Sequence, residues 1–403
     1  MVYPEYIDGI LKKIEYSGEI GYIVGGSVRD SLLGKEPNDF DIAISCAPEK
    51  TMEIFASERV IPTGIKHGTV TLVCDGHSVE ITTFRVDGEY TDSRHPDSVV
   101  FTDRIEEDLS RRDFTVNAMA YNPSVGLVDV FDGRRDLEDC LIRAVRDPFL
   151  RFEEDALRIL RAFRFSATLG FRIEETTLEG AIARSGGLAN IARERIGAEF
   201  LKLICAPAAS NTLLEMKRTG IIKYVLGDYV PSDKLLSLVD KMTPTDIGRL
   251  GLLLSETDRE RGEEILLGLR CSTKQIKGSL CIMDGARKRV TDDRDARMFS
   301  AGTGVYAEEA ILASVLLGNS ATHAVTLVDR EKNCPRSLKD LKIGGRQITA
   351  LGARGRDIGR VLERLLEEAI IDPTLNCEEK LIQLAKKYID EINKEDKNAG
   401  SHT

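Results

Sequence analysis

The stretch that most constrains this chain is Tyr22-Ile23-Val24-Gly25-Gly26-Ser27-Val28-Arg29-Asp30, followed closely by Asn38-Asp39-Phe40-Asp41-Ile42-Ala43. The β-branched run before the glycines reads as a strand. Ser27 to Leu33, closed by Gly34, reads as an amphipathic helical segment. Adjacent glycines permit positive φ and leave no Cβ between the main chain and a ligand. Ser27 is the expected N-cap, which aims the amides of a helix start at whatever sits above the glycines, an arrangement that suits a phosphate. On the second strand, side chains at i and i+2 share a face. Asp39 and Asp41 are therefore expected to project together while Phe40 turns into the core. Two carboxylates beside a phosphate cradle are what binding a hard cation next to a triphosphate requires. Either motif alone is most often a plain turn or a solvated strand edge. Their spacing, with Arg29 between them, is what points to a site.

The same residues carry a family resemblance. GGSVRDSLLG followed by NDFDIA resembles the signature of nucleotidyltransferases of the polymerase-β type. Within these it is similar to the class II CCA-adding enzymes (tRNA nucleotidyltransferases) of compact bacterial type and to their bacterial poly(A) polymerase relatives. The resemblance implies an α+β fold: a mixed sheet with helices forms a catalytic head, and an all-helical neck, body and tail follow. It also implies that Asp39 and Asp41 hold two Mg²⁺ ions and that Gly25, Gly26 and Arg29 hold phosphates.

Composition bounds the rest. A chain of 403 residues is too long for one core, and two to four domains are expected. Few aromatics, no Trp and 30% charged residues suit a largely helical soluble protein. No apolar run reaches the ~18 residues of a membrane span. The N-terminus lacks the basic start and apolar core of a signal peptide. Eight scattered cysteines, with no Cys-x-x-Cys, read as thiols in a reducing cytosol, so the expected location is cytoplasmic. No histidine adjoins an aspartate, which argues against an appended metal phosphohydrolase domain. A net charge of −10 argues against indiscriminate nucleic-acid binding, because phosphate contacts demand Lys and Arg. The basic residues nevertheless cluster, at Arg111-Arg112, at Arg134-Arg135, and along Arg143, Arg146, Arg151, Arg158, Arg161 and Arg164. An acidic protein with a basic groove binds what fits the groove.

Along the chain, residues 1–20 and Pro48 to Ala56 read as helices. Thr69–Val73 and Val79–Phe84 alternate as strands around an Asp75-Gly76 hairpin turn. Glu80 is either a third carboxylate facing Asp39 and Asp41 or a solvated strand glutamate. Arg85 to Phe101 is a long polar loop, which inside a domain is usually functional or disordered. It resembles the flexible loop of CCA-adding and A-adding members, with His95 as a loop contact. Glu107 to Tyr121 matches the family's second motif, in which Arg112 contacts the triphosphate. Asp113 and Asn117 lie one helical turn apart and are placed by the resemblance near the nucleotide sugar; Asp113 also fits a helix N-cap. Asp129 to Gly133 resembles the third motif.

From about residue 140 the β pattern stops. Arg151 to Phe165 reads as one helix with arginines at every third position, each about 60° further round the axis than the last. Asp155 and Arg158 are then i,i+3 neighbours, either a surface ion pair or a pair that binds something. An aspartate only accepts hydrogen bonds and an arginine only donates them. Cytosine and adenine both offer an amine donor beside a ring-nitrogen acceptor, so Asp155 and Arg158 satisfy either base. Uracil and guanine would leave polar groups unpaired at ~1–3 kcal/mol each. The resemblance implies the same scheme, since Glu154, Asp155 and Arg158 fall at the positions of the fourth motif. By that match, Arg161 and Arg164 help hold the nucleotide. Leu188 to Lys202, with Arg193-Glu194-Arg195 and Glu199, fits a fifth motif that orders the neighbouring helix. Lys339 to Gly344, Leu351-Gly352 and Gly359 to Leu362 either close plain helix ends or belong to a tail that, in the family, grips the elbow of tRNA. The expected division is a head at 1–140, a neck at 141–205, a body at 206–330, a tail at 331–394 and a disordered 395–403. The expected reaction is addition of C, C and A to a tRNA 3′ end from CTP and ATP. The rivals are A-addition alone, poly(A) synthesis on the same scaffold and, least favoured, a non-catalytic nucleotide or RNA binder.

Overall fold

Helix α1 (Glu5–Tyr16) buries Ile7, Ile10, Leu11 and Ile14, the single stripe of an amphipathic helix packed on a domain. The chain continues through β1 (Gly21–Val24), α2 (Gly26–Leu32), β2 (Asp41–Ile44), α3 (Pro48–Ile54), β3 (Arg59–Gly64), β4 (Thr69–Cys74) and β5 (His77–Thr83). There follow β6 (Arg85–Asp87), β7 (Val99–Phe101), α4 (Ile105–Ser110), β8 (Ala120–Asn122), β9 (Gly126–Val128) and α5 (Gly133–Glu138). Seven strands form one mixed sheet in the order β3-β4-β5-β2-β1-β8-β9. Among the described strands of this sheet only β2 and β5 run parallel, which a hairpin cannot connect; α3 and the β3–β4 hairpin supply the crossover. Every residue of β1 is buried, as a central strand requires. The β4–β5 turn takes positive φ at both Asp75 and Gly76, the primed turn that matches strand twist.

This computed structural model describes residues 1–88 and 99–399. The flanks of the expected loop pair antiparallel as β6 and β7, while its centre, with His95, lies outside the described residues.

After the sheet come β10 (Leu141–Ile142), α6 (Pro148–Glu154), α7 (Leu157–Leu169), β11 (Arg172–Ile173), α8 (Glu175–Arg184), α9 (Arg193–Ile204), α10 (Ala209–Arg218) and α11 (Lys223–Leu226). Two expectations change here. Strands β10 and β11 form a small parallel pair, so the region after residue 140 is not purely helical; two-residue strands are too short to show a period. The helix expected from Arg151 to Phe165 is broken at Asp155, which is extended at φ −143° and ψ 102°. Its carboxylate accepts the Leu157 amide at 3.0 Å. A short acidic side chain here competes with the helical backbone and starts a new helix instead.

Residues 1–230 form one unit of the chain and 231–403 a second. The second unit consists of α12 (Asp233–Leu236), α13 (Asp246–Leu253), α14 (Arg259–Gly268), α15 (Thr273–Ala286), α16 (Asp293–Thr303), α17 (Ala307–Leu317), α18 (Ala324–Arg330), α19 (Gly345–Ala350), α20 (Arg356–Ile371) and α21 (Glu378–Ala399). Helix α15 packs against α13 and α17. At Gly251 a Cβ would sit 2.6 Å from Ile282, so only glycine permits that approach. A separate apolar cluster gathers Leu341, Ile348, Val361, Leu365, Leu381, Ala385 and Ile392. Helix α21 reaches Ala399, so helix extends into the stretch expected to be disordered. Among the described residues no helix is long and apolar enough to cross a membrane.

Candidate active site

A cavity of 440 Å³ in the first unit gathers most of the singled-out residues. Gly25, Gly26, Arg29, Asp41, Arg111 and Arg112 come from the glycine turn, β2 and the end of α4. Asp155, Leu157, Arg158, Arg161 and Phe165 come from the α6–α7 break and α7, and Arg195 comes from α9. Asp113 and Asn117 complete the lining.

The glycine turn differs in one detail from expectation. Gly25, at φ 73°, is the residue before α2, and Ser27 does not cap the helix. The Ser27 hydroxyl donates to the Val24 carbonyl at 3.1 Å, tying the helix back to β1. A Cβ on Gly25 would lie 3.1 Å from an Arg112 guanidinium nitrogen. Glycine thus supplies both the backbone angle and the room.

Asp41 opens β2 and lines the cavity, whereas Asp39 precedes the strand, so the two do not share a strand face as expected; both are exposed, and neither Asp39 nor Glu80 lines the cavity. Phe40 is 5% exposed and buried as expected. Parallel pairing sets Asp41 in register with Glu80. Desolvation, then Glu80, pushes the Asp41 carboxyl above its ordinary value; Asp39 adds to the rise and Arg112 opposes it. Asp41 therefore sits within reach of the charges of both Glu80 and Asp39. Among the described residues no three or more His, Cys, Asp or Glu side chains make a ready metal cage, so the acids need further oxygen donors to complete a coordination shell.

The arginines are held by buried partners. Asp108 is 0% exposed and accepts from Arg111 at 2.8 and 2.9 Å and from Arg112 at 3.1 Å. Burial pushes Asp108 up, but the two guanidiniums outweigh it and hold the carboxyl below its usual range. Neither Asp108 nor Arg111 was singled out as a site residue from sequence; the i,i+3 and i,i+4 spacing of Asp108 to the arginine pair was the available signal. Arg29 donates to Asn117 Oδ1 at 2.6 Å and to Asp30 at 2.8 Å.

Asp113 is not a helix N-cap. Its Oδ1 accepts from the Phe114 amide and from Asn117, and its Oδ2 accepts from Arg161 at 2.5 and 2.8 Å. A short 3-10 turn over Thr115–Asn117, rather than an α-helical turn, brings Asp113 and Asn117 together. Burial pushes Asp113 up, yet Arg161 overrides it and the carboxyl sits low.

Asp155 and Arg158 line the same cavity, but each has a different partner from the one expected. Asp155 accepts from Arg195 at 2.8 Å. Arg158 donates to Glu154 at 2.6 Å, and Glu154 also faces Arg151 at 3.0 Å. Neither Glu154 nor Arg164 lines the cavity; Arg164 donates to Glu199 at 2.5 Å. Helix α9 meets α7 through Glu199, which accepts from Arg164, and meets the α6–α7 break through Arg195, which donates to Asp155. That Arg195 and Phe165 also line the cavity had no local signal, since one contact spans forty residues and the other is an apolar helix position.

A family described as "Poly A polymerase head domain" matches residues 21–143, and one described as "Probable RNA and SrmB- binding site of polymerase A" matches residues 170–231. The CCA-adding enzyme of Leuconostoc mesenteroides is 35% identical over 401 residues, 96% of this chain and 98% of that protein. That of Ligilactobacillus salivarius is 35% identical, covering 95% of this chain and 96% of its own. Among solved structures, the CCA-adding enzyme of Bacillus stearothermophilus in complex with CTP superposes with a TM-score of 0.83 at 28% identity, covering 98% of this chain and all of that one. Sequence, sheet order and site geometry thus converge: the chain belongs to the CCA-adding enzymes, the class II tRNA nucleotidyltransferases of compact bacterial type.

Proposed function

We propose that this cavity is where C, C and A are added in turn to the 3′ end of tRNA, without a template, from CTP and ATP, with release of pyrophosphate. One observation carries the reading. A glycine turn with two arginines, an acid-bearing strand, and an acceptor–donor pair suited to a base edge all line a single space. The neighbouring Bacillus stearothermophilus structure, bound to CTP, supports it.

Gly25 and Gly26 leave the backbone open to phosphate oxygens, and Arg29 and Arg112 fix those oxygens by charge-assisted hydrogen bonds. Asp108 keeps Arg111 and Arg112 from swinging into solvent. Asp39 and Asp41 would hold Mg²⁺, with Glu80 beside them. Oxygen-only donors fit a hard cation, and the desolvation and carboxylate repulsion that raise Asp41 would be relieved by a divalent charge. When bound, Mg²⁺ lowers the pKa of the attacking 3′-hydroxyl and neutralises the departing pyrophosphate. Asp113 and Asn117 orient the sugar. Asp155 accepts from the exocyclic amine of cytosine or adenine while Arg158 donates to the ring nitrogen. Arg195 and Glu154 hold the pair in place. Arg161 reaches the nucleotide directly, and Arg164, outside the lining, acts through its neighbours.

The same proposal keeps the division into head (1–140), neck (141–205), body (206–330) and tail (331–394), with the tail on the tRNA elbow. The separate apolar cluster from Leu341 to Ile392 supports the tail as a folding element. None of the eight cysteines is in a disulfide among the described residues, which supports a cytoplasmic setting.

The test is to supply tRNA ending at the discriminator base, and then tRNA ending in CC, with one labelled nucleotide at a time. Two rounds of C followed by one A are expected. Incorporation of A but never C would replace this reading with A-addition alone.

A further inference from the structure

Phe165 is 7% exposed and lines the cavity, yet it has no polar atom to offer a ligand. Its surroundings are unusual for an apolar residue. The guanidinium carbons of Arg164, Arg161 and Arg29 lie 4.0, 5.4 and 5.5 Å from its ring centroid. Phe114 meets the same ring edge-on, with centroids 5.7 Å apart and planes at 75°. Arg161 reaches the ring by i,i+4 spacing along α7. Arg164 is the adjacent residue, and adjacent helical side chains do not face each other. Its guanidinium must fold back to the ring, where Glu199 holds it at 2.5 Å. Arg29 comes from α2, far away in sequence, and Asn117 anchors it.

Each of the three cations is also held by polar partners: Asn117 and Asp30 for Arg29, Asp113 and Glu199 for Arg161, and Glu199 for Arg164. Three like charges round one centre repel, the more so where water is excluded. The negative face of an aromatic ring attracts each of them within about 6 Å. The ring thus lets a phosphate-side arginine and two arginines of the base-reading helix share one place.

We infer that Phe165 is a positioning residue for the nucleotide. Through its π face it holds Arg29 and Arg161 at the spacing at which both reach one bound triphosphate, while Arg164, paired with Glu199, packs on the same ring without lining the cavity. This inference rests on the nucleotide reading of the cavity.

The experiment replaces Phe165 with mono-, di- and trifluorophenylalanine in the full chain, a series that drains the ring's negative face while barely changing its size. Equilibrium dissociation constants for CTP and for ATP, and the melting temperature, are measured for each protein. Both dissociation constants should climb with each fluorine, to about tenfold at the trifluoro ring, while the melting temperature and the KM for tRNA stay level. Phe165→Leu, apolar but without a π face, should match or exceed the trifluoro protein. Flat dissociation constants across the series would overturn the inference, as would losses that merely track a falling melting temperature. If the unsubstituted protein binds neither nucleotide, the reading of the cavity itself fails. If it binds both and the series is flat, only the role of Phe165 falls.

Discussion

At the scale of single residues, two aspartates of one cavity are held in opposite electrostatic states. Asp41 is raised by desolvation and by Glu80. Above the ordinary carboxylate value of 3.8 its charge works against the folded state, and that penalty is fully present once the pH exceeds the raised value. Asp41→Asn should therefore abolish transfer, by about a thousandfold or more, without lowering the melting temperature at neutral pH, because solvent screens the charge of an exposed carboxylate. Mg²⁺ should activate the unsubstituted protein less well as the pH falls through the raised value, because protons then compete for the same oxygens. A variant at Asp41 with near-normal turnover would contradict the metal assignment. Asp113 is the mirror case. Burial pushes it up, but Arg161 holds it below 3.8, so it contributes stability at neutral pH that is lost as the pH drops through the lowered value. Asp113→Asn should cost about 2 kcal/mol at pH 7, because it takes from the partly buried Arg161 guanidinium its closest carboxylate. The gap between the two melting curves should close in acid. A gap that stays constant down to low pH would mean that packing, not charge, is what was lost. Asp41, Arg29 and Arg112 were legible in the sequence because each belongs to a short motif whose chemistry is local. Arg195 and Asp108 were not, because their roles are set by partners buried with them.

At the scale of elements, the same distinction explains what was read well and what was not. The hairpin of β4 and β5, the stripe of α1 and the strand–glycine–helix unit of β1 and α2 follow from period and turn chemistry. The break between α6 and α7 does not, since Ala156-Leu157-Arg158-Ile159 continues a helical pattern without interruption. What ends α6 is the Asp155 carboxylate, bonded both to the Leu157 amide and to Arg195. The break serves a purpose beyond capping, for it turns Asp155 out of the helix and toward the cavity that Arg158 also lines. Asp155→Ala should then have two separable effects. Loss of the cap should lower stability by about 1 kcal/mol, and loss of the acceptor should relax the choice of CTP and ATP over UTP and GTP. Arg158→Ala should relax nucleotide choice more than it weakens tRNA binding. Arg195→Ala should relax it too but leave the cap intact, so its melting curve should stay near that of the parent. Competition assays with mixed labelled nucleotides, run beside thermal melts, separate the two. Full selectivity in the Arg158 and Asp155 variants would remove them from base reading.

At the scale of the whole molecule, the question is how a chain with a net charge of −10 handles polyanions. The cavity answers it locally. Six arginines and three aspartates line the cavity, so a positive region is set inside an acidic protein. Clefts lined by one sign focus the field, whereas an acidic exterior repels nucleic acid that does not enter them. Such a protein gains discrimination rather than affinity, because every phosphate outside the groove costs attraction that a basic protein would have. Binding of intact tRNA should therefore fall as salt rises, but with a shallow dependence that reflects few phosphate contacts. Unstructured RNA such as poly(U) should bind poorly even at low ionic strength. Filter binding of both ligands across a salt series, together with a protein whose Arg111 is replaced by Ala, makes the comparison. The arginine variant should lose nucleotide affinity while its weak retention of poly(U) stays unchanged, since that residue belongs to the cleft and not to the exterior. Equal retention of tRNA and poly(U) would show that overall charge, and not its placement, governs what this chain takes hold of.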